Sequence, residues 1–158
     1  MRHGETLADA TQHEVTVALP QPAAFARFTE ALGRWWPREY TWGQDACVDM
    51  AIEPHPGGAC VELGPHGFRS QWGRVLTWEP PRLLAFTWQI APDRTPQPDP
   101  ARASEVTLAF VPTGRSTQLI LTHRHFGRHG EQGSAYREEM GSEMGWPLLL
   151  ARFASLGR

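Results

Sequence analysis

Lysine is absent from this 158-residue chain: all fifteen basic residues are arginine. That excludes Schiff-base chemistry and a lysine general base. Cysteine is scarce. Cys47 and Cys60 are the only two, without Cys-x-x-Cys spacing, so neither a zinc ribbon nor a redox pair has support. So low a count fits a reducing compartment. Long apolar runs are missing: none approaches the ~18–20 residues of a membrane span. The opening MRHGETLADATQHE lacks the apolar core of a signal peptide. A soluble cytoplasmic protein with no membrane partner is the expectation. A strong excess of either charge is missing too. The formal net charge is −2, so no nucleic-acid partner is expected. Gly-x-Ser-x-Gly, His-Glu-x-x-His, P-loop and Gly-x-Gly-x-x-Gly signatures do not occur, which removes the commonest hydrolase, zincin and nucleotide motifs.

What is present can build a core. Hydrophobic residues make up 41% of the chain, and its length suits one compact domain. Residues 1–11 are polar and read as a flexible N-terminus, leaving 12–158 as a single domain. HEVTVAL (13–19) alternates as a strand. Residues 20–36 read as one broken helix or two short ones, with Pro22 in a first turn and Gly33 and Pro37 near the end.

ACVDMAIEP (46–54), the turn HPGG and GACVELG (58–64) form a hairpin. Pairing Glu53 with Gly58 sets Met50 opposite Val61, with Ala46, Val48, Met50 and Ile52 sharing a face. Both cysteines then lie on the polar face, ~13 Å apart at strand rise and too far for a disulfide. Residues 68–80 and 82–91 flank Pro80 and Pro81 as a second hairpin. Both faces of 68–80 carry apolar groups, so its inner face is not assigned; in the partner, Leu84, Phe86, Trp88 and Ile90 mark the buried face. Residues 92–103 hold four prolines without periodicity and read as a long mobile loop, dispensable for folding. Residues 104–112 and 116–126 make a third hairpin. From Glu131 to Leu156 a long helix follows, with Pro147 kinking it or joining two pieces. The fold class is α+β: a curved antiparallel sheet against a long C-terminal helix, with the first strand at an edge.

GRWWPREYTWG (33–43), EPHPGG (53–58), WGRVLTWEPPRLLAFTW (72–88), SEVTLAFVPTGRSTQLILTHRHF (104–126) and GWPLLLARFASL (145–156) together cover almost the whole chain. In these stretches it resembles the START-like (SRPBCC, helix-grip) superfamily, and within it the Aha1-type family, named for an activator of a heat-shock chaperone ATPase. The Gly-x-Val, Pro-Pro-x-x-Leu and Thr-Trp string is the most specific part. The resemblance implies a seven-stranded antiparallel sheet gripping the C-terminal helix, with two short helices between strands 1 and 2 and a cavity between sheet and helix. It brings no shared catalytic residue. The family's eukaryotic activators carry a further N-terminal domain for the chaperone, which this length does not accommodate, so chaperone binding is not expected.

Three histidines crowd LTHRHFGRH (121–129). Leu119 and Leu121 set an inward parity that His123 and His125 inherit. Residues i and i+2 on a strand can share a metal, with His129 from the loop beyond. However, Glu131 is the nearest acid and no carboxylate is positioned beside them, so no metal is expected. His123 instead reads as an interior polar wall, hydrogen-bonded to a carbonyl, a water or Tyr136. Seven tryptophans exceed what packing alone needs, and at least two should line a pocket. Tyr136, Met140 and Met144 follow the inner stripe of the last helix. The expected lining is Trp36, Met50, Phe86, Trp88, Phe110, Leu121, His123, Tyr136, Met140 and Met144. The leading reading is a protein that binds a small hydrophobic or aromatic ligand without cofactor or turnover. One alternative is a hydratase, cyclase or hydrolase with His123 or His125 as acid–base and Tyr136 or Arg124 polarising a carbonyl. Another is an interaction module related to chaperone co-factors, or a dimer pairing through outward apolar residues of 72–88. A monomer and a homodimer both remain open.

Overall fold

A computed structural model of the chain describes residues 9–155. Most of the expected flexible N-terminus, residues 1–8, lies outside the described residues. Its last two residues do not fit that expectation, because strand β1 (Ala10–Val17) already pairs from Ala10. Helices α1 (Gln21–Glu30) and α2 (Leu32–Trp35) follow. Pro22 sits in the first turn of α1, where no backbone donor is needed. Ala24, Phe25 and Phe28 form its buried face. Then come β2 (Asp49–Ile52), β3 (Ala59–Leu63), β4 (Arg69–Glu79), β5 (Leu83–Trp88), β6 (Ser104–Thr113), β7 (Ser116–Arg124), α3 (Gly133–Met140) and α4 (Trp146–Ser155).

The seven strands form one antiparallel sheet in the order β1-β7-β6-β5-β4-β3-β2. The first strand is at an edge, as its separation by helices implies. Register shifts at Cys60/Val61 and at Val75/Thr77 interrupt the two ladders of β4, and such irregularities bend a sheet. Gly73 lies at the first of them. A Cβ there would run into the Thr87 carbonyl oxygen, so β4 and β5 approach closely only because this residue has none. The result is a curled sheet around the C-terminal helical segment, the helix-grip architecture.

Three details correct the sequence reading. The β2–β3 register is one residue away from the one expected: Met50 lies opposite Glu62, and Ile52 opposite Cys60. A one-residue slip moves a whole strand to the other face. Cys60 is therefore buried in the core rather than on the polar face. Cys47 is buried too and Val48 is 63% exposed, because a 3-10 turn over Gln44–Ala46 delays the strand to Asp49. Both thiols are free.

The C-terminal segment is two helices, one of the two arrangements expected, but the joint is not at Pro147. The break lies over residues 141–145, ahead of Pro147, which falls in the first turn of α4. Gly145 allows the break, since a Cβ there would strike the Met140 carbonyl.

The proline-rich segment 92–103 is not free. Ile90 bridges Pro96, the Gln97 N–H donates to the Gln89 carbonyl at 2.9 Å, and the Gln89 amide donates back to the Gln97 carbonyl at 3.2 Å. Proline removes donors without removing carbonyls, and this loop is held largely through its acceptors.

The core is aromatic. Phe25, Phe28 and Phe110 meet Trp35 and Phe153 in tilted and edge-on contacts with ring centroids 5.0–6.1 Å apart. This packing fills the end of the grip under β6 and β7.

Candidate functional site

Inward parity along β5 delivers Trp88 to the middle of the molecule. Trp72 reaches the same place from β4, Trp36 from the end of α2 and Trp146 from the start of α4. Trp88 lies 5.4 Å from Trp146 and 6.2 Å from both Trp36 and Trp72, centroid to centroid. Trp36 and Trp72 are stacked at 6.4 Å with 21° between planes.

An indole N–H is donor only, so each ring asks for an acceptor. Trp88 Nε1 donates to Tyr136 Oη at 2.7 Å, and Tyr136 Oη donates to the Ile90 carbonyl at 2.9 Å. Burial pushes the Tyr136 hydroxyl up to about 12. Trp146 Nε1 donates to His123 Nδ1 at 3.0 Å. That makes His123 Nδ1 an acceptor, so the proton is on Nε2, which donates to Ser104 Oγ at 2.7 Å. Ser104 Oγ in turn donates to His129 Nε2 at 2.8 Å. Burial drives His123 well below the ordinary 6.5, with the charges of His129 and His13 acting the same way. His129 is also lowered by burial, against the opposing pull of Asp9.

Beside the tryptophan cluster a cavity of about 620 Å³ opens between the sheet, α3, α4 and the segment 36–44. Met50, Glu62, Trp72 and Trp88 bring one wall from β2 to β5. Met140 and Leu149 face them from the helices, with Trp36, Tyr40 and Trp42 along a third side. Glu62 is only 2% exposed. Its two oxygens accept the backbone N–H groups of Trp42 and Gly43, at 2.8 and 2.7 Å. At the mouth, Tyr40 Oη donates to the Met144 carbonyl at 2.8 Å. The Arg94 guanidinium lies 4.6 Å over the Tyr136 ring and 3.4 Å from Glu139, while its carbonyl accepts Trp42 Nε1–H at 2.6 Å.

Of the ten residues named from sequence, Trp36, Met50, Trp88, Met140 and Met144 line this cavity. Met144 does so from the rim: it is 64% exposed, because the helix is interrupted there and the inner stripe does not continue through it. Phe86, Phe110, Leu121, His123 and Tyr136 are buried but lie outside the lining. Facing inward differs from facing the cavity, since the helices fill the grip beneath β6 and β7. His125 does not inherit the strand parity. β7 ends at Arg124, and His125 turns into a left-handed conformation (φ +68°) and is exposed. Ser104, between two histidines, has the atoms of a nucleophilic relay, yet it is fully buried and away from the cavity. Among the described residues no group of three or more His, Cys, Asp or Glu side chains could hold a metal ion.

The sequence reading missed Glu62, Trp72, Trp42 and Arg94. Glu62 was hidden by the one-residue register error, Trp72 by the two-faced apolar pattern of β4. Arg94 sits in a loop with no periodicity to read. Trp42 follows a 3-10 turn and gave no usable signal.

Residues 18–157 match the family described as activator of Hsp90 ATPase homolog 1-like protein. The chain belongs to this family. Among solved structures, the family member is 33% identical to an anthrahydroquino-gamma-pyrone synthase, Txn09, complexed with SUM. The match covers 94% of this chain and 96% of that one, with a TM-score of 0.67. CalC from Micromonospora echinospora, a self-sacrificing resistance protein, is 26% identical over 94% and 93% of the two chains, TM-score 0.63. NE0264 from Nitrosomonas europaea shares the fold at 19% identity over 95% and 94%, TM-score 0.64. No curated protein matches this family member.

Proposed function

We propose that the cavity binds a small aromatic or otherwise hydrophobic molecule, held by ring-on-ring contact with its tryptophans. One observation carries this: Trp36, Trp72 and Trp88 line a volume of about 620 Å³, well inside the range of roughly 300–1,000 Å³ typical of small-molecule sites. Offset and edge-on aromatic contacts add directional attraction to the burial of apolar area. Of the three neighbours named, the synthase supports a small-molecule role for the scaffold, although one fold hosts both binders and enzymes.

The acid–base alternative loses its histidines. His123 is sealed behind Trp88 and Trp146, and His125 is on the surface. The ionisable group that the cavity does present, apart from those at its rim, is Glu62.

Native mass spectrometry of freshly purified protein tests whether a small molecule travels with it. Titration with anthraquinone should quench tryptophan fluorescence saturably, and Trp36→Ala should weaken binding by up to about tenfold, the size of one lost ring contact. Absence of both a co-purified molecule and saturable quenching would sink the proposal.

A further inference from the structure

The charges that border the cavity do not balance. Glu39, Glu62 and Glu139 line it against a single guanidinium, that of Arg94. Arg94 lies 3.4 Å from Glu139, and both are exposed, as is Glu39. Charges at such a rim are solvated and screened by salt. Glu62 is not at the rim. It is 2% exposed, and Met50 directly across the ladder places it on the inner face, in the cavity wall.

Both Glu62 oxygens act as acceptors, taking the backbone N–H groups of Trp42 and Gly43. Those donors are neutral, so they solvate the carboxylate without cancelling its charge. No ion pair joins Glu62 to any of the described residues. Arg38 reaches the same loop, but its Nη1 donates to the Cys47 carbonyl at 2.6 Å. A buried charge ordinarily has a partner of opposite sign. The space that Glu62 borders is the cavity.

The rest of the wall suits a partner of that sign. Trp36, Tyr40, Trp42, Trp72 and Trp88 surround the same volume. The face of an aromatic ring attracts a cation within about 6 Å of its centre, and tryptophan does so most strongly. The chain already makes this contact once near the mouth, where the Arg94 guanidinium lies 4.6 Å over the Tyr136 ring.

We propose that the cavity selects an organic cation: an arylalkyl amine, carried as its ammonium form, with its ring among the tryptophans and its charge in the field of Glu62. This rests on the small-molecule reading above and adds the sign of the ligand's charge. The ammonium need not touch the carboxylate. Charge acts over several ångströms, and more strongly beside a low-dielectric wall than in water.

Three probes share one ring and differ in charge: 1-naphthylmethylamine, 1-naphthylmethanol and 1-naphthylacetate. Calorimetric titration of the whole chain at neutral pH should rank them cation, neutral, anion. The step from alcohol to ammonium should be about tenfold, as for charges roughly 6 Å apart in surroundings between water and a protein surface. Most of that step should survive 0.5 M sodium chloride, because a buried charge is screened far less than a rim charge. In Glu62→Gln the advantage of the ammonium over the alcohol should fall to about twofold or less, and in Glu62→Asp, which keeps the charge, it should persist. Circular dichroism reports whether each variant is folded. Should both fail to fold, because Glu62 also anchors residues 42–43, the wild-type series at low and high salt still decides. Equal binding of the three probes overturns this inference and leaves the small-molecule reading standing; Glu62 is then only a clasp for its loop. So does an ammonium preference that disappears in high salt, which would assign it to Glu39 and Glu139. Failure of all three probes where anthraquinone binds overturns it as well, and failure of anthraquinone too removes both readings.

Discussion

An indole N–H donates and never accepts, and this one-way property orders the buried polar groups around His123. Trp146 fixes the tautomer of His123, His123 orients Ser104, and Ser104 completes a chain ending on half-buried His129. The chain requires neutral imidazoles. Protonated His123 would present an N–H to the Trp146 N–H, and protonated His129 would present one to Ser104. Burial lowers both groups in the folded protein. Unfolded histidines near 6.5 therefore bind protons that the folded ones refuse. Stability is fully present above about pH 6.5 and falls as pH drops below it, by about 1.4 kcal/mol per pH unit for His123 alone. Urea titrations at pH 7.5 and 5.5 should show this loss, and a His123→Asn variant should show a shallower one. Trp88 tests the neighbouring link. It is 4% exposed and bonded to Tyr136, so Trp88→Ala should cost about 3–5 kcal/mol in chemical denaturation. Trp88→Phe keeps a ring and loses one hydrogen bond, so it should cost nearer 1 kcal/mol.

At the scale of elements, strands with a clean period were legible and those without were not. Leu84, Phe86 and Trp88 alternate because one face of β5 meets the core, and the structure buries all three. The β2–β3 hairpin misled because a choice of turn pairing, one residue either way, decides whether Cys60 and Glu62 face in or out. No composition rule separates those registers. The last helix was read with its kink or joint at Pro147 because Tyr136, Met140 and Met144 keep helical spacing across residues 141–145, where the structure in fact breaks it. The 92–103 segment illustrates the limit of periodicity. Its Arg94 carbonyl takes the Trp42 indole N–H, and the carbonyls of Gln97 and Pro98 lie 3.2 and 3.4 Å from the Gln89 amide nitrogen that donates to them. Deleting residues 92–98 would strand these donors. The expected loss is roughly 2–3 kcal/mol, or about 5–10 °C in melting temperature, measurable by calorimetry. A change of only a degree or two would mean that these hydrogen bonds do not hold the loop in solution.

At the scale of the whole molecule, the grip has a solid end and a hollow end. Under β6 and β7, Phe110 packs against Phe25 and Phe28, and Phe28 against Phe153, leaving no cavity lining there. Toward β2 and β3 the same curled sheet opens on the cavity, with Glu62 and Trp72 in its wall. Stability is thus concentrated away from the place where a ligand would sit, and the two properties should respond to different substitutions. Phe110→Ala should cost about 3–5 kcal/mol and lower the melting temperature by roughly 10 °C or more. A ligand at a hundred times its dissociation constant adds about 2.7 kcal/mol to any folded protein that binds it. Effects at separate sites without shared partners add, so the stabilisation given by a bound anthraquinone should be the same in Phe110→Ala as in wild type. Trp36→Ala should cut that increment at fixed ligand concentration. Thermal melts with and without ligand, on the three proteins, make the comparison. An increment that shrinks in Phe110→Ala as much as in Trp36→Ala would mean that the two ends are one cooperative unit, with the packing under β6 and β7 setting the shape of the cavity wall.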